Sequence, residues 1–217
     1  RKPDFIFHYV IKPNIYGSLA AAACGISSIA VITGLGYAFA RKNWLRKTVS
    51  FLYKRALKNT KEVWFLNRDD ADIFIQRKLV AGHKVKILPG EGINPEYFAA
   101  RPFRPVARSK AFQFLMSTRL LKSKGVRTYV DAARILKKKN RDIRFELIGF
   151  FEEHHPDSIA AQDIRYWQRR NFIHYSGFAK DVRPFLNQAD CLVFPSSYPE
   201  GVSCCLLEAA SMEIPII

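Results

Sequence analysis

The stretch Glu200-Gly-Val-Ser-Cys-Cys-Leu-Leu-Glu208 is the part of this 217-residue chain that most constrains its fold and function. Two acids stand eight positions apart, and the apolar residues around the second one predict a helix over 201–212. Eight residues are a little more than two helical turns, so we expect Glu208 on about the same face as the loop that enters the helix. Free backbone N–H groups at such a helix start suit an anion such as phosphate.

Two acids and two cations together predict a ligand site. Glu208 lies among apolar residues, where a carboxylate is costly unless it is hydrogen-bonded, and the hydroxyl groups of a sugar would supply such bonds. Arg119 and Lys124 follow a predicted strand over 112–117, and open α/β sheets bind ligands at the carboxyl ends of their strands. The combination favours a sugar nucleotide, with its phosphates on the helix start and the cations and its hydroxyls on the acids.

Each of these side chains also has a plain structural interpretation. Arg119 and Lys124 belong to a chain with 35 Lys and Arg residues, most of which must lie on the surface. Glu208 can be a surface acid of its helix, and Glu200 can be an acid that the helix dipole favours. Only the four residues taken together favour the binding site.

The order of these motifs resembles the retaining glycosyltransferases of the two-Rossmann-domain (GT-B) architecture, in the large bacterial group with a Glu-x7-Glu motif (family 4 type). In the order of that group, Ser176-Gly-Phe178 and Ala189-Asp-Cys-Leu-Val-Phe-Pro-Ser196 precede Glu200. Upstream, Lys12-Pro-Asn-Ile-Tyr-Gly17 and Gly34-Leu-Gly-Tyr-Ala-Phe39 resemble capsular and lipid-linked glycan sugar transferases, which add a sugar to a polyprenyl-diphosphate-linked acceptor.

The resemblance implies a role for each matching residue. Arg119 and Lys124 would bind the donor diphosphate, Glu208 the ribose and Glu200 the transferred sugar, so that Glu200, Arg119 and Lys124 are the expected catalytic residues. The further donor contacts that it implies are Gly149, Phe178, Gly201, Val202 and Ser203. A plain loop position for Phe178 remains open. The four residues after Gly149, Phe-Phe-Glu-Glu, are bulkier than the small, polar continuation usual in the family.

Strand and helix patterns alternate through both halves of the chain and predict an α/β fold of two Rossmann-like, doubly wound domains. Several Pro and Arg residues between 95 and 110 indicate a crossing between the domains. The predicted organisation is the C-terminal part of an acceptor-side domain at 1–97, a linker at 98–110 and a donor-binding domain at 111–217. The chain begins at a strand and stops as another begins, so we expect it to be incomplete at both ends.

The charge of the chain is strongly basic, with 35 Lys+Arg against 19 Asp+Glu and a formal net charge of +16. Such a charge attracts phosphates, anionic membranes and nucleic acid, and it leaves the fold open. The segment 41–58 carries no acid and mixes cations with aromatic residues. That pattern suits an anionic membrane surface and equally an ordinary covering helix. The expected acceptor or membrane contacts are Lys12, Asn14, Tyr16, Arg41, Lys42, Trp44, Arg46 and Lys47.

Other patterns argue against a metal, a disulfide framework and a membrane span. The four cysteines lack metal spacing and indicate a reducing compartment, and the five histidines show no zinc spacing. Asp70-Ala-Asp72 is typical of capping acids at a helix start. Residues 15–40 are uncharged and long enough to span a bilayer, but several glycines interrupt them. We expect no metal, no cofactor and no nucleic-acid partner.

The prediction from the sequence is a metal-independent, retaining glycosyltransferase. Its donor would be a nucleoside-diphosphate sugar, most simply a UDP-sugar, and its acceptor a lipid-diphosphate-linked saccharide for a bacterial surface polysaccharide or glycan. The expected location is cytoplasmic, peripheral on the inner face of the plasma membrane. Three alternatives stay open: a sugar-nucleotide epimerase of the same architecture, a basic module that binds membrane or nucleic acid, and a fragment that binds donor without turnover.

Overall fold

The computed structural model describes residues 3–35, 39, 44–100, 111–139, 142–197 and 201–217. It divides into two compact units, the first comprising 1–92 with 199–203 and the second comprising 93–198 with 204–217. Of the predicted linker, residues 101–110 lie outside the described part of the chain. The predicted domain boundaries therefore stay a prediction.

The first unit is built on a parallel sheet with strand order β1-β2-β3-β4. Its strands are β1 (Phe5–Tyr9), β2 (Ser27–Ile32), β3 (Glu62–Phe65) and β4 (Val85–Ile87). Its helical segments are a π-helical turn (Pro13–Gly17), α1 (Ser18–Ala23), α2 (Trp44–Leu57), α3 (Arg68–Gln76) and a 3-10 turn (Gly82–Lys84).

An aromatic cluster joins the helices of the first unit to its sheet. The buried ring of Phe74 on α3 lies 5.2 Å from Phe65 of β3, 5.1 Å from Tyr53 of α2 and 5.5 Å from Phe39, measured between ring centroids. Burial of several aromatic rings removes a large apolar area from water and therefore stabilises the packing of these helices on the sheet.

The uncharged stretch 15–40 is broken up as its glycines predict. Helix α1 ends at Ala23, Gly25 takes the left-handed conformation with φ 63°, and the buried strand β2 follows. Within the described ranges, no helix has both the length and the apolar character that crossing a membrane requires.

The second unit is also built on a parallel sheet, with strand order β7-β6-β5-β8. Its strands are β5 (Phe112–Ser117), β6 (Ile143–Ile148), β7 (His174–Tyr175) and β8 (Cys191–Leu192). Its helices are α4 (Val126–Lys139), α5 (Ala161–Arg169), α6 (Arg183–Leu186) and α7 (Cys204–Ser211).

Two separate hydrophobic clusters show that the second sheet is covered on both faces. Met116 and Leu147 pack with residues of α4 and α5, whereas Leu115 and Ile148, their neighbours along the strands, pack with residues of α6 and α7. Successive strand side chains point to opposite faces, so burial of both sets requires helices on both sides. This unit is doubly wound, as predicted.

Asn67 caps helix α3, because its Oδ1 accepts a hydrogen bond from the backbone N–H of Asp70 at 2.7 Å. Replacement of Asn67 by Ala removes that acceptor and is expected to lower the free energy of unfolding by about 1 kcal/mol. Urea denaturation followed by circular dichroism measures the change. The exposed Asn59, replaced by Ala, is the control and is expected to change stability by less than about 0.5 kcal/mol. Equal stabilities of the two variants would contradict the capping role.

Candidate functional site

The predicted donor residues of the second unit gather at the carboxyl ends of its parallel strands. Arg119 follows β5, Gly149 follows β6 and Phe178 follows β7. The N–H of Thr118 donates to the carbonyl of Ile148 at 3.1 Å, and the N–H of Gly149 donates to the carbonyl of Gly177 at 2.9 Å. These hydrogen bonds hold the three strand ends side by side, at the edge where open α/β sheets bind ligands.

Gly149 stands where only glycine fits. Its φ is 150°, and a Cβ at this position would lie 1.7 Å from the carbonyl oxygen of Thr118. The hydroxyl of Tyr175 donates to the carbonyl of Gly149 at 2.9 Å. The backbone at the end of β6 is therefore packed directly against the end of β5. This packing fixes the backbone immediately before Arg119.

Arg119 forms an ion pair that the sequence analysis missed. Its Nη1 donates to Oε2 of Glu152 at 2.9 Å, with 35% and 38% of the two side chains exposed. A partly exposed pair of this kind contributes about 0.2–1 kcal/mol, so its main consequence is a defined orientation of the guanidinium. The bulky Phe-Phe-Glu-Glu continuation after Gly149, noted as unusual in the sequence, supplies this carboxylate.

The segment 150–159 is also tied to the loop that carries the cations. The N–H groups of Leu120 and Ile159 bond to the carbonyls of Phe150 and Leu120, at 3.0 and 2.8 Å. Asp157 accepts from the N–H of Ser123 at 2.8 Å. Burial alone would raise the pKa of the Asp157 carboxyl, but the hydrogen bonds with Ser123 and the nearby charges of His155 and Lys122 together lower that pKa. In the sequence, the one signal for the contacts of this segment was the bulky Phe-Phe-Glu-Glu continuation after Gly149.

Lys124 is buried, with 6% of its surface exposed. Lysine is rarely buried unless a partner accepts its hydrogens. The next residue, Gly125, has φ 80°, and a Cβ there would lie 2.3 Å from the carbonyl oxygen of Pro195. The N–H of Ser197 donates to the carbonyl of Ser123 at 2.9 Å. The turn around Lys124 is therefore packed tightly against the segment that follows β8.

Glu208 is half-buried on α7, and burial raises the pKa of its carboxyl. The predicted start of this helix at Gly201 was wrong, because α7 begins at Cys204. Glu208 is four residues after Cys204, which is about one turn. At about 1.5 Å per residue it therefore lies about 6 Å along the helix axis from the helix start. The amides of the first turn are those of Cys204 and the residues after it.

The residues immediately before α7 belong to the first unit and not to the second. Gly201, Val202 and Ser203 group with the first unit, where the N–H of Gly201 donates to the carbonyl of Thr33 at 3.2 Å. That hydrogen bond holds Gly201 outside the helix and engages one of the three amides predicted for phosphate. Glu200 lies outside the described residues. Donor contacts of these four residues stay predictions.

Phe178 presents an aromatic ring at the same sheet edge. The side chain is 67% exposed, and its ring meets Phe150 edge to face with centroids 5.8 Å apart. An exposed ring held by a second ring suits stacking with a planar group.

The predicted acceptor and membrane contacts differ in exposure. Asn14 is fully buried, and its Nδ2 donates to the carbonyl of Val31 at 2.8 Å, which makes it a structural residue in this conformation. Lys12 and Tyr16 are exposed beside it. On α2, Trp44 and Lys47 are exposed and Arg46 is partly exposed, whereas Arg41 and Lys42 lie outside the described residues.

The Asp-x-Asp sequence at Asp70 and Asp72 belongs to helix α3. Asp70 is buried in the first turn, and Asp72 pairs with Arg68 at 3.2 Å. In the described ranges, no group of three His, Cys, Asp or Glu side chains is arranged to hold a metal ion. Metal independence stays a prediction.

Residues 111–217 match the protein family described as "Glycosyl transferases group 1". The matched segment contains Arg119, Lys124 and Glu208 and makes up just under half of the chain.

Three curated relatives carry glycosyltransferase names. The chain is 28% identical over 220 residues to the N,N'-diacetylbacillosaminyl-diphospho-undecaprenol alpha-1,3-N-acetylgalactosaminyltransferase of Campylobacter jejuni, covering 95% of this chain and 56% of that protein. It is 25% identical to the putative colanic acid biosynthesis glycosyltransferase WcaL of Escherichia coli, over 58% of this chain and 32% of WcaL. It is 27% identical to the amylovoran biosynthesis glycosyltransferase AmsK of Erwinia amylovora, over 58% and 31%. The chain thus spans about half or less of these relatives.

Solved glycosyltransferase structures share the fold. Anabaena Alr3699/HepE in complex with UDP-glucose superimposes with a TM-score of 0.78 at 16% identity, over 98% of this chain and 58% of HepE. A glycosyltransferase from Rickettsia africae gives a TM-score of 0.72 at 18% identity, over 98% and 56%. The predicted α/β fold of the GT-B architecture is confirmed.

The close approach at Gly149 can be tested with a matched glycine. Gly149→Ala is expected to destabilise the protein by at least about 1 kcal/mol more than Gly177→Ala, because both positions have positive φ but only the first meets a backbone oxygen. A Cβ on Gly177 would meet nothing within 4 Å. Urea denaturation of both variants measures the difference. If both alanines cost the same, the contact with Thr118 is not what requires a glycine.

Proposed function

We propose that this protein is a retaining, metal-independent glycosyltransferase. Its donor is a nucleoside-diphosphate sugar, most simply a UDP-sugar, and its acceptor is a lipid-diphosphate-linked saccharide in surface polysaccharide or glycan synthesis. The observation that carries the proposal is that residues 111–217, which match the family described as "Glycosyl transferases group 1", contain Arg119 and Lys124 in the loop after β5 and Glu208 on α7. The UDP-glucose bound to HepE and the diphospho-undecaprenol in the name of the Campylobacter relative support the donor and acceptor classes.

In this proposal the donor diphosphate lies between the cations and the start of α7. The guanidinium of Arg119, oriented by Glu152, and the ammonium of Lys124 neutralise the charge that grows on the departing diphosphate. The N–H groups in the first turn of α7 add the positive end of the helix dipole. Two side-chain cations and a helix end can supply this stabilisation without a metal ion.

The nucleoside would be read by the remaining residues of the sheet edge. Glu208 accepts hydrogen bonds from the ribose hydroxyls, which compensates the burial of its carboxylate. Gly149 lets the ends of β5 and β6 approach closely, and the exposed ring of Phe178 can stack with the base. Glu200 would contact the transferred sugar, and the acceptor would approach the sugar from the face that the diphosphate leaves.

The alternative functions differ in what they release and bind. An epimerase of the same architecture releases an altered sugar nucleotide without an acceptor. A basic module for membrane or nucleic acid loses affinity steeply with salt and is indifferent to Glu208. Product analysis with and without a lipid-linked acceptor therefore separates transferase from epimerase.

Glu208→Gln is expected to weaken UDP binding by about tenfold or more, because hydrogen bonds from the ribose lose a charged acceptor. Calorimetry with UDP in the presence of a chelator measures the loss and tests metal independence together. Glu213→Gln is the control, since Glu213 is exposed beyond the end of α7. Equal UDP affinity in both variants would sink the assignment of Glu208.

The same substitution is expected to stabilise the protein without ligand at pH 7. Burial raises the folded-state pKa of Glu208, so the carboxyl holds its proton more tightly when folded, and stability falls as the pH rises through that pKa. The advantage of Glu208→Gln should shrink as the pH falls below the ordinary value of 4.5, where the carboxyl is protonated in both states. Urea denaturation at pH 4 and pH 7 measures it, and a Glu208→Gln variant less stable at pH 7 would contradict the sign.

We further propose that α2 holds the protein on the inner face of the plasma membrane. Trp44 and Phe51 are 74% and 60% exposed, and Lys47, Lys54 and Arg55 are exposed on the same outward side of the helix. The opposite side of α2 is buried through Tyr53, Ala56 and Leu57. A helix without an acid that exposes rings between cations suits the headgroup region of an anionic bilayer.

The double variant Trp44→Ser with Phe51→Ser is expected to bind vesicles of phosphatidylglycerol and phosphatidylcholine about tenfold or more weakly, because each ring loses apolar burial in the bilayer. Sedimentation with vesicles measures the binding. The control is Ile135→Ser with Leu136→Ser, two exposed apolar residues of α4. An equal loss in both double variants would argue against a specific role of α2.

A further inference from the structure

A cavity of about 850 Å³ lies in the second unit, at the amino-terminal half of β6. Gln113 of β5, residues 143–146 of β6 and the end of α4 line it, together with Arg170, Asn171, Phe172, His174, Ser176, Phe185 and Gln188. Arg144 and Gly149 are separated by about 16 Å along the strand, at about 3.3 Å per residue. Most of the lining residues therefore lie toward the amino ends of the strands, away from Gly149, and the cavity extends as far as Ser176 at the carboxyl end of β7.

A second cavity, of about 410 Å³, adjoins the first. The two share Arg134, Lys138, Arg170 and Phe172 among their lining residues and so form one groove, here called the amino-edge groove. Each of the two cavity volumes falls in the range of small-molecule sites, about 300–1,000 Å³.

Cations dominate the lining of the amino-edge groove. Five of them line the larger cavity: Arg134, Lys137, Lys138, Arg144 and Arg170. The one acid among the residues that line it is Glu146, which accepts a hydrogen bond from the hydroxyl of Ser176. The smaller cavity adds Asp131, which pairs with Arg134 at 3.3 Å. The groove therefore carries an excess of positive charge that its own acids do not neutralise.

The fold holds these cations close together. Lys137 donates from Nζ to the carbonyl of Asn171 at 2.6 Å, which fixes its ammonium at the wall of the cavity. Burial and then the nearby guanidinium of Arg144 lower the pKa of Lys137. Like charges held at one cavity destabilise the empty groove, and a bound anion would relieve that repulsion.

Aromatic rings lie beside the cations. Phe172 lines both cavities, and Tyr166 and Trp167 line the smaller one. The guanidinium of Arg170 stands 5.8 Å from the centroid of the Tyr166 ring. Rings next to cations suit a ligand in which a flat or ring-shaped group is joined to an anionic group.

We propose that the amino-edge groove is a second binding site, for a small molecule that joins a polyphosphate to a ring, as a nucleoside triphosphate does. Arg134, Lys138 and Arg170 hold the phosphates, and the rings at Phe172 and Tyr166 border the ring group. The concave shape fits a small molecule better than a flat bilayer surface. The amino-edge groove shares no residue with the proposed donor site, so this proposal can be tested independently of the proposed transferase activity.

The test uses the full 217-residue chain and inorganic tripolyphosphate, at about 150 mM salt to suppress long-range attraction. The groove variant carries Arg134→Gln, Lys138→Gln and Arg170→Gln. The matched variant carries Lys139→Gln, Arg165→Gln and Arg169→Gln, which remove the same charge from exposed positions of α4 and α5 that line neither cavity. A third variant, Arg119→Gln, reports on the donor site. Circular dichroism establishes that each variant folds.

Calorimetry is expected to show that the groove variant binds tripolyphosphate at least about tenfold more weakly than the unmodified chain, because charged hydrogen bonds are lost. The matched variant should keep the affinity of the unmodified chain within about twofold. Arg119→Gln removes a contact of the proposed donor site, and the tripolyphosphate binding that remains in it should be lost when the groove substitutions are added. An equal loss in the groove and matched variants would show only general attraction to the net charge. Abolition by Arg119→Gln alone would assign the phosphate to the donor site, and no binding to the unmodified chain would also overturn the proposal.

The ring part of the proposal has its own measurement. In the Glu208→Gln background, which weakens nucleoside binding at the proposed donor site, ATP is expected to bind more tightly than tripolyphosphate. The groove substitutions added to that background should remove the difference. Equal affinity for ATP and tripolyphosphate would refute a ring subsite and leave a simple polyphosphate site.

Discussion

The contact between Gly149 and the carbonyl of Thr118 is the constraint on which the candidate site depends. A side chain at Gly149 would meet that oxygen at 1.7 Å, so the ends of β5 and β6 can approach this closely only around a glycine. The approach places Arg119 beside the segment after β6, where Glu152 accepts from its guanidinium. Geometry at the sheet edge thus follows from one position without a side chain, and the charged groups are arranged around it.

Several charged residues of the second unit are held where they do not favour stability. Burial raises the pKa of Glu208, so its charged form loses hydration in the folded state. Sites that bind or react commonly carry such a cost, because groups optimised for a ligand are imperfectly satisfied without it. The same reasoning applies to the amino-edge groove, where five cations line one cavity.

The net charge of +16 is distributed over distinct surfaces with distinct chemistry. On α2, exposed cations alternate with exposed rings and suit a surface, whereas in the amino-edge groove the cations line a concave cavity and suit a small anion. At the candidate donor site, two cations are held in place by backbone hydrogen bonds and close packing. A total charge therefore says little until the shape beneath each group of cations is known.

The sequence by itself determined the α/β class and the alternation of strands and helices, and it indicated Arg119, Lys124 and Glu208 as candidate site residues, because apolar periodicity and motif spacing are local properties. Only the tertiary structure decided that Glu152, 33 residues away, meets Arg119, and that Asn14 is buried on Val31. The last helix also begins at Cys204 and not at the predicted Gly201, because the N–H of Gly201 is hydrogen-bonded to the carbonyl of Thr33. Partners distant in sequence are chosen by packing, which no local pattern encodes.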